Sequence, residues 1–147
     1  MSYFAEFVNR LAQVIIRNGL IQRAFNDGIL YADNYSAYIN RSIQVLYWSG
    51  YYDNYATAKT LHERGHQLIN SSSDYYWILG GQHASGSAIN FSVFSYNDEQ
   101  LDDHSGAQCC IWCDNGDYDG LDDGAGVVEN TATLIANFGK AISKYTA

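Results

Sequence analysis

Tyr75-Tyr76-Trp77-Ile78-Leu79-Gly80-Gly81 is the stretch at which apolar spacing changes from helical to extended. The run is short, aromatic-rich and closed by two glycines, the marks of a strand and the loop after it. Downstream, Ile89, Phe91 and Val93 alternate with Asn90 and Ser92, as in a strand with one wet face. Ala107–Cys113 is apolar on both sides and reads as a third, covered strand. Val127–Tyr145 returns to helical spacing, with Val128, Leu134, Ile135, Phe138 and Ile142 on its inner side. Lys140 and Lys144 sit near its end, where the helix dipole favours cations.

Upstream the helical period dominates. Phe4, Phe7, Val8, Leu11, Val14 and Ile15 follow a capping Ser2 and stop at Asn18-Gly19. A short helix holds Ile21, Ala24 and Phe25, ending by Asp27-Gly28. Tyr31, Tyr35, Ile39, Ile43 and Leu46 give a third helix to about Trp48, although Ile43–Trp48 reads equally as a strand. A fourth starts at Asp53 or Asn54 and runs through Ala58, Leu61, Gly65, Leu68 and Ile69. The expected fold is α+β, a single domain over residues 1–147. Residues 1–73 are mainly helical; residues 74–147 form a three-stranded antiparallel sheet with the C-terminal helix packed on it.

A chain of 147 residues with 47% hydrophobic content is long enough to bury one core and too apolar for global disorder. Thirteen tyrosines and no proline point to many half-buried or contact-forming positions. No apolar run approaches the roughly 18 residues of a membrane span. Met1-Ser2-Tyr3-Phe4-Ala5-Glu6 lacks the basic start of a signal peptide, and three crowded cysteines do not make a disulfide framework. A cytoplasmic protein is expected.

Charge is unevenly placed. Residues 1–64 carry six basic and five acidic side chains, whereas Gly65–Gly139 holds eleven carboxylates and no Lys or Arg. Nine of the eleven are Asp98, Glu99, Asp102, Asp103, Asp114, Asp117, Asp119, Asp122 and Asp123. Such a surface repels the phosphate backbone and suits a basic partner, including one that normally holds DNA or RNA.

Two motifs carry metal chemistry. His62-Glu63-Arg64-Gly65-His66 has H-E-x-x-H spacing, which on a helix puts two imidazoles on one face. Over these five residues the chain resembles the zincin metallopeptidases. That resemblance implies His62 and His66 as zinc ligands, Glu63 as general base and Glu129 as a ligand from another helix. The alternative is a pair of flanking histidines that need no metal. Asn115-Gly116-Asp117-Tyr118-Asp119-Gly120 resembles the first half of an EF-hand-like loop. This implies Asn115, Asp117 and Asp119 as oxygen ligands for calcium, with Gly126 where the closing Glu belongs.

Cys110 and Cys113, with Cys109 and His104 nearby, also have ligand spacing. In a strand, however, Cys110 and Cys113 face opposite ways, and Cys109 and Cys113 sit about 13 Å apart. Free thiols are expected.

The functional expectation is a small acidic, non-enzymatic binding protein. It would act as an inhibitor, of the phage anti-defence or nuclease-immunity type, whose nine carboxylates mimic nucleic acid on a partner's basic surface. No cofactor, no membrane and no direct nucleic-acid contact are expected. The alternatives are a minimal zinc hydrolase centred on His62, Glu63 and His66, and a calcium-stabilised interaction module.

Overall fold

Ile43-Gln44-Val45-Leu46-Tyr47 is apolar at four of its five positions, too continuous for a strand with one wet face and suited to one covered on both sides. The computed structural model places it so. It describes residues 3–29, 38–48, 55–71, 76–78, 82–83, 93–94, 99–101, 106–112 and 124–144. These fall in two compact units, Met1–Asn70 with Phe91–Ala107, and Ser71–Asn90 with Gln108–Ala147.

In the first unit, helix α1 (Tyr3–Arg17) leads into strand β1 (Arg23–Phe25) and the single turn α2 (Asn26–Ile29). Strand β2 (Gln44–Tyr47), helix α3 (Ala58–Glu63) and strand β3 (Leu68–Asn70) follow. Later in the chain come β6 (Val93–Phe94), β7 (Glu99–Gln100) and β8 (Gly106–Ala107). The sheet order is β1-β2-β3-β8, and every pairing in it is parallel. Arg23 lies opposite Gln44, Val45 opposite Leu68 and Ile69 opposite Gly106. Parallel neighbours need a crossover, and residues 48–67 with α3 supply the one between β2 and β3. β6 and β7 form a separate antiparallel ribbon.

The core of this unit gathers Ala5, Val8 and Ala12 of α1 with Ile39, Ile43, Val45, Tyr47, Ala56, Ala58, Leu61 and Leu68. Each large aliphatic side chain so buried contributes roughly 1.5–3 kcal/mol. Asn9 ties α1 to the turn before β2. Its Nδ2 donates to the Tyr38 carbonyl at 2.7 Å, and its Oδ1 accepts the Asn40 N–H at 2.7 Å. Across the amino ends of the strands, Arg23 Nε donates to Gln44 Oε1 (2.9 Å) and Gln44 Nε2 to Gln67 Oε1 (2.8 Å).

Two helices end on the same device. In α1 the N–H groups of Gly19 and Leu20 donate to the carbonyls of Ile16 and Ile15; in α3 those of Gly65 and His66 donate to His62 and Leu61. Both are Schellman closures, and Gly19 (φ 73°) and Gly65 (φ 88°) take the left-handed position that such a closure requires. Thr57 caps the other end of α3, its hydroxyl accepting the Thr60 N–H at 3.1 Å.

In the second unit, β4 (Tyr76–Ile78) pairs antiparallel with β5 (Gln82–His83) and parallel with β9 (Cys110–Trp112). Helix α4 runs Gly124–Ile142; Leu134 is buried, Phe138 and Ile142 are half-buried, and Ile135 is exposed. Cys109 and Cys110 are free thiols. Partial burial pushes both upward from the ordinary thiol range; the neighbouring Cys110 adds to this at Cys109, and a Gln108 hydrogen bond partly offsets it at Cys110. Cys113 and His104 lie outside the described residues.

The mixed helix-and-strand class is as expected, but the arrangement differs. The antiparallel three-stranded sheet is corrected: the strands at 76–78 and 110–112 run parallel, and Val93–Phe94 pairs with 99–100 instead. The mainly helical first half is corrected too, since it contains β1, β2 and β3. The third helix gives way to β2 where residues 44–47 meet a partner on each side; Tyr31 and Tyr35 lie outside the described residues. The fourth helix stops at Glu63 because Gly65 turns the chain, freeing Leu68 and Ile69 for β3. On α1 the buried residues are Ala5, Val8 and Ala12, whereas Phe4, Phe7, Leu11 and Val14 are exposed. No helix among the described residues is long and apolar enough to cross a membrane.

Gly65→Ala is expected to lower stability by about 1–2 kcal/mol in urea unfolding, through the left-handed backbone. Steric clash does not account for this cost, since an added Cβ would meet only Arg41 Cδ at 3.6 Å. The thiols give a pH test. Folded Cys109 and Cys110 hold their protons to higher pH than unfolded ones, so stability falls as pH rises through the ordinary thiol range. Alkylation of the native chain at neutral pH should be slower than that of the urea-unfolded chain, with the rate measured by mass spectrometry.

Candidate functional site at the carboxyl ends of the parallel strands

All strands of a parallel sheet finish at one edge, and ligands of α/β folds bind outside that edge. Here β1 ends into Asn26, β2 into Tyr47 and Trp48, and β3 at Asn70. The register sets Tyr47 opposite Asn70 and Phe25 opposite Leu46, so these residues lie at one level of the sheet. Asn26, Tyr47 and Asn70 are fully buried, and Trp48 is half-buried. Two carboxamides without solvent contact are unusual at strand ends, because a buried amide costs roughly 1–3 kcal/mol when unsatisfied.

Asn26 has a visible task. Its Oδ1 accepts the Trp48 N–H at 3.0 Å, extending the β1–β2 ladder by one side-chain bond beyond the last paired residue. This fixes where the chain leaves the sheet and therefore where the indole starts. Of the residues at this edge, Trp48 is the one whose ring retains solvent contact, while the two carboxamides lie beneath the surface.

The H-E-x-x-H residues lie elsewhere. His62 and Glu63 occupy the last turn of α3, whereas His66 follows the Gly65 turn and is not on the helix. His66 is 3% exposed, and its Nδ1 is 3.2 Å from the Ile43 carbonyl. A carbonyl only accepts, so the proton of that bond is on Nδ1. Ile43 and His66 both precede strands, at the amino edge of the sheet, opposite Asn26 and Asn70. The helix does not present the two imidazoles from one face.

Glu129 lies in α4, its side chain outside the described ones, and Glu99 lies in β7 with the same status. Asp98, Asp102, Asp103, Asp114, Asn115, Asp117, Asp119, Asp122 and Asp123 also fall outside the described residues. Among the described residues no three His, Cys, Asp or Glu side chains gather where a metal ion would fit.

Sequence reading missed Asn26 and Asn70 because it placed both in or beside helices, and it left Trp48 between a helix and a strand with no partner strand to set its level. The available signal was a polar residue closing each short apolar run: Ala24-Phe25-Asn26, Val45-Leu46-Tyr47-Trp48 and Leu68-Ile69-Asn70. Read as strands, the three runs put their last residues on one edge.

No protein-family profile matches the sequence. Among solved structures the chain is similar to the pneumococcal exo-β-D-N-acetylglucosaminidase StrH, studied for its tandem GH20 catalytic modules. The TM-score is 0.71 at 25% identity, over 93% of this chain and 36% of that one. A second StrH structure, from work on N-glycan recognition and hydrolysis, gives the same values. Dispersin B aligns with a TM-score of 0.67 at 19% identity, over 91% of this chain and 46% of its own, a likeness of fold alone. The chain thus spans about a third of the StrH chain and under half of Dispersin B, and within that span it shares their fold.

Proposed function

We propose that the chain forms part of a GH20-type module and contributes to binding glycans that carry N-acetylglucosamine. The observation that carries this reading is the superposition of 93% of this chain on 36% of the StrH chain, at a TM-score of 0.71 and 25% identity. The strand-end residues fit it chemically. A pyranose ring offers an apolar face to an aromatic side chain and a rim of hydroxyls to amide groups, and an N-acetyl group adds one donor and one acceptor. In this reading Trp48 is the stacking surface and Asn26, through its bond to the Trp48 N–H, positions it.

A second reading draws on the charge distribution. Eleven carboxylates and no Lys or Arg over Gly65–Gly139 favour an acidic surface that occupies a basic protein partner. The two readings separate by their response to salt, since stacking on an indole is weakly screened and a charge-driven complex is strongly screened.

Titration calorimetry with a β-linked N-acetylglucosamine disaccharide should show saturable binding. Trp48→Ala should weaken it by about tenfold or more, and Glu63→Gln should leave it unchanged. A folded chain that binds no such glycan would remove the first reading. For the second, replacing Asp102, Asp103, Asp117 and Asp119 by Lys should abolish salt-sensitive binding to a panel of basic nucleic-acid-binding domains in surface plasmon resonance. Unchanged binding by that variant would remove the acidic-surface reading.

A further inference from the structure

Successive residues of a strand face opposite ways, so the register divides the parallel sheet into two sides. Val45, Tyr47 and Leu68 belong to the side on which Ala5, Val8 and Ala12 of α1 and Ala58 and Leu61 of α3 pack. Arg23, Gln44 and Gln67 belong to the other. Arg23 lies opposite Gln44, and Gln67 stands one residue before the Leu68 that lies opposite Val45, so the three form one row at the amino edge. Backbone bonds hold the row at this level. The Gln44 N–H donates to the Gln22 carbonyl at 3.0 Å, and the Val45 N–H to the Gln67 carbonyl at 2.9 Å. The next row on the same side is Phe25, Leu46 and Ile69, of which Leu46 and Ile69 are buried.

The side chains of the row are linked in one direction, Arg23 Nε donating to Gln44 Oε1 and Gln44 Nε2 to Gln67 Oε1. A guanidinium only donates, so the first bond fixes which end of the Gln44 amide is oxygen, and the second then fixes Gln67. Each amide oxygen has therefore already accepted a bond. What is left over is chiefly donors: both Nη groups of Arg23, the second Nε2 hydrogen of Gln44 and the Nε2 pair of Gln67. The cation at one end polarises the amides along the row and strengthens the donors they have left. Arg23 and Gln67 are exposed and Gln44 is half-buried. No carboxylate among the described residues pairs with Arg23, whereas Arg10 is matched by Glu6. Glu63 belongs to α3 on the opposite side of the sheet, and Asp27 follows β1 at the carboxyl edge.

We propose that the Arg23–Gln44–Gln67 row binds a small oxyanion, of the phosphate or sulfate class, at the amino edge of the sheet. Such an ion is all acceptor where the row is chiefly donor. Two of its oxygens take the paired Nη groups of the planar guanidinium, and another takes the remaining Gln44 N–H. With strands about 4.8 Å apart the row runs roughly 10 Å, so one ion covers Arg23 and Gln44 and leaves Gln67 as the brace that orients the Gln44 amide. The buried Leu46 and Ile69 keep water from one flank of the ion, which strengthens its attraction to the guanidinium. The chain's net charge of −8 repels anions in general, so retention has to come from these local groups. The site lies at the opposite edge from Asn26, Trp48 and Asn70 and does not depend on glycan binding.

The probe is inorganic phosphate, added to the purified chain in a phosphate-free buffer with sodium chloride as the control of equal ionic strength. Thermal unfolding followed by circular dichroism should show Tm rising by about 2–4 °C as phosphate reaches about 20 mM, and then levelling off. Arg23→Gln should abolish the rise. Gln44→Leu should weaken the apparent affinity by about tenfold or more, and Arg17→Gln, at an exposed cation that ends α1, should leave it unchanged. Titration calorimetry on the same variants reads phosphate binding directly, which keeps the test valid where a substitution also loosens the sheet. No rise beyond the chloride control, a rise that never saturates, or one kept in full by Arg23→Gln would overturn the inference.

Discussion

The backbone of Val45–Leu46 is engaged on both edges, by β1 on one side and β3 on the other, in the same direction. A parallel strand so flanked cannot be reached by tight turns, so the chain must leave the sheet and return after every strand. The placement of α3, the burial of Ala56, Ala58 and Leu61 behind the sheet, and the clustering of strand ends at one edge all follow from that constraint. The two Schellman closures serve it as well, since each turns the chain out of a helix and toward the next strand.

Legibility of the sequence tracked the physics of each segment. α1 and the C-terminal helix were readable because both are long enough for the helical period to repeat several times. β1, β2 and β3 are three or four residues long, about one helical turn, so an apolar run there never repeats its period. Leu68-Ile69 falls in step with the preceding helix by spacing alone, and it is the left-handed turn at Gly65 that separates them. For α1, periodicity locates the apolar residues but does not say which of two apolar stripes meets the core.

The same glycine bears on the motif at 62–66. As a pattern it matches a zinc helix; in the fold, it is the last turn of a helix followed by its closure, with His66 drawn into the core against Ile43. Asn26 and Asn70 carry no recognisable motif, and their interest arises only from the edge on which the parallel register places them. Spacing along the chain and proximity at a sheet edge are independent kinds of information, and here the second was hidden until the strands were paired.

The sheet's far edge has a kinetic consequence. Pairing β1 with β2, and β2 with β3, closes loops of similar and moderate length, whereas Ile69 meets Gly106 only after a much longer intervening segment has been gathered in. Loop-closure entropy grows slowly with length, but contacts this remote in sequence slow the search. The three earlier strands therefore have the opportunity to assemble first, leaving β3 as a temporary edge with unpaired N–H and C=O groups until β8 arrives. During that interval the apolar edge of Leu68–Asn70 is the part of the chain most open to pairing with a neighbouring molecule.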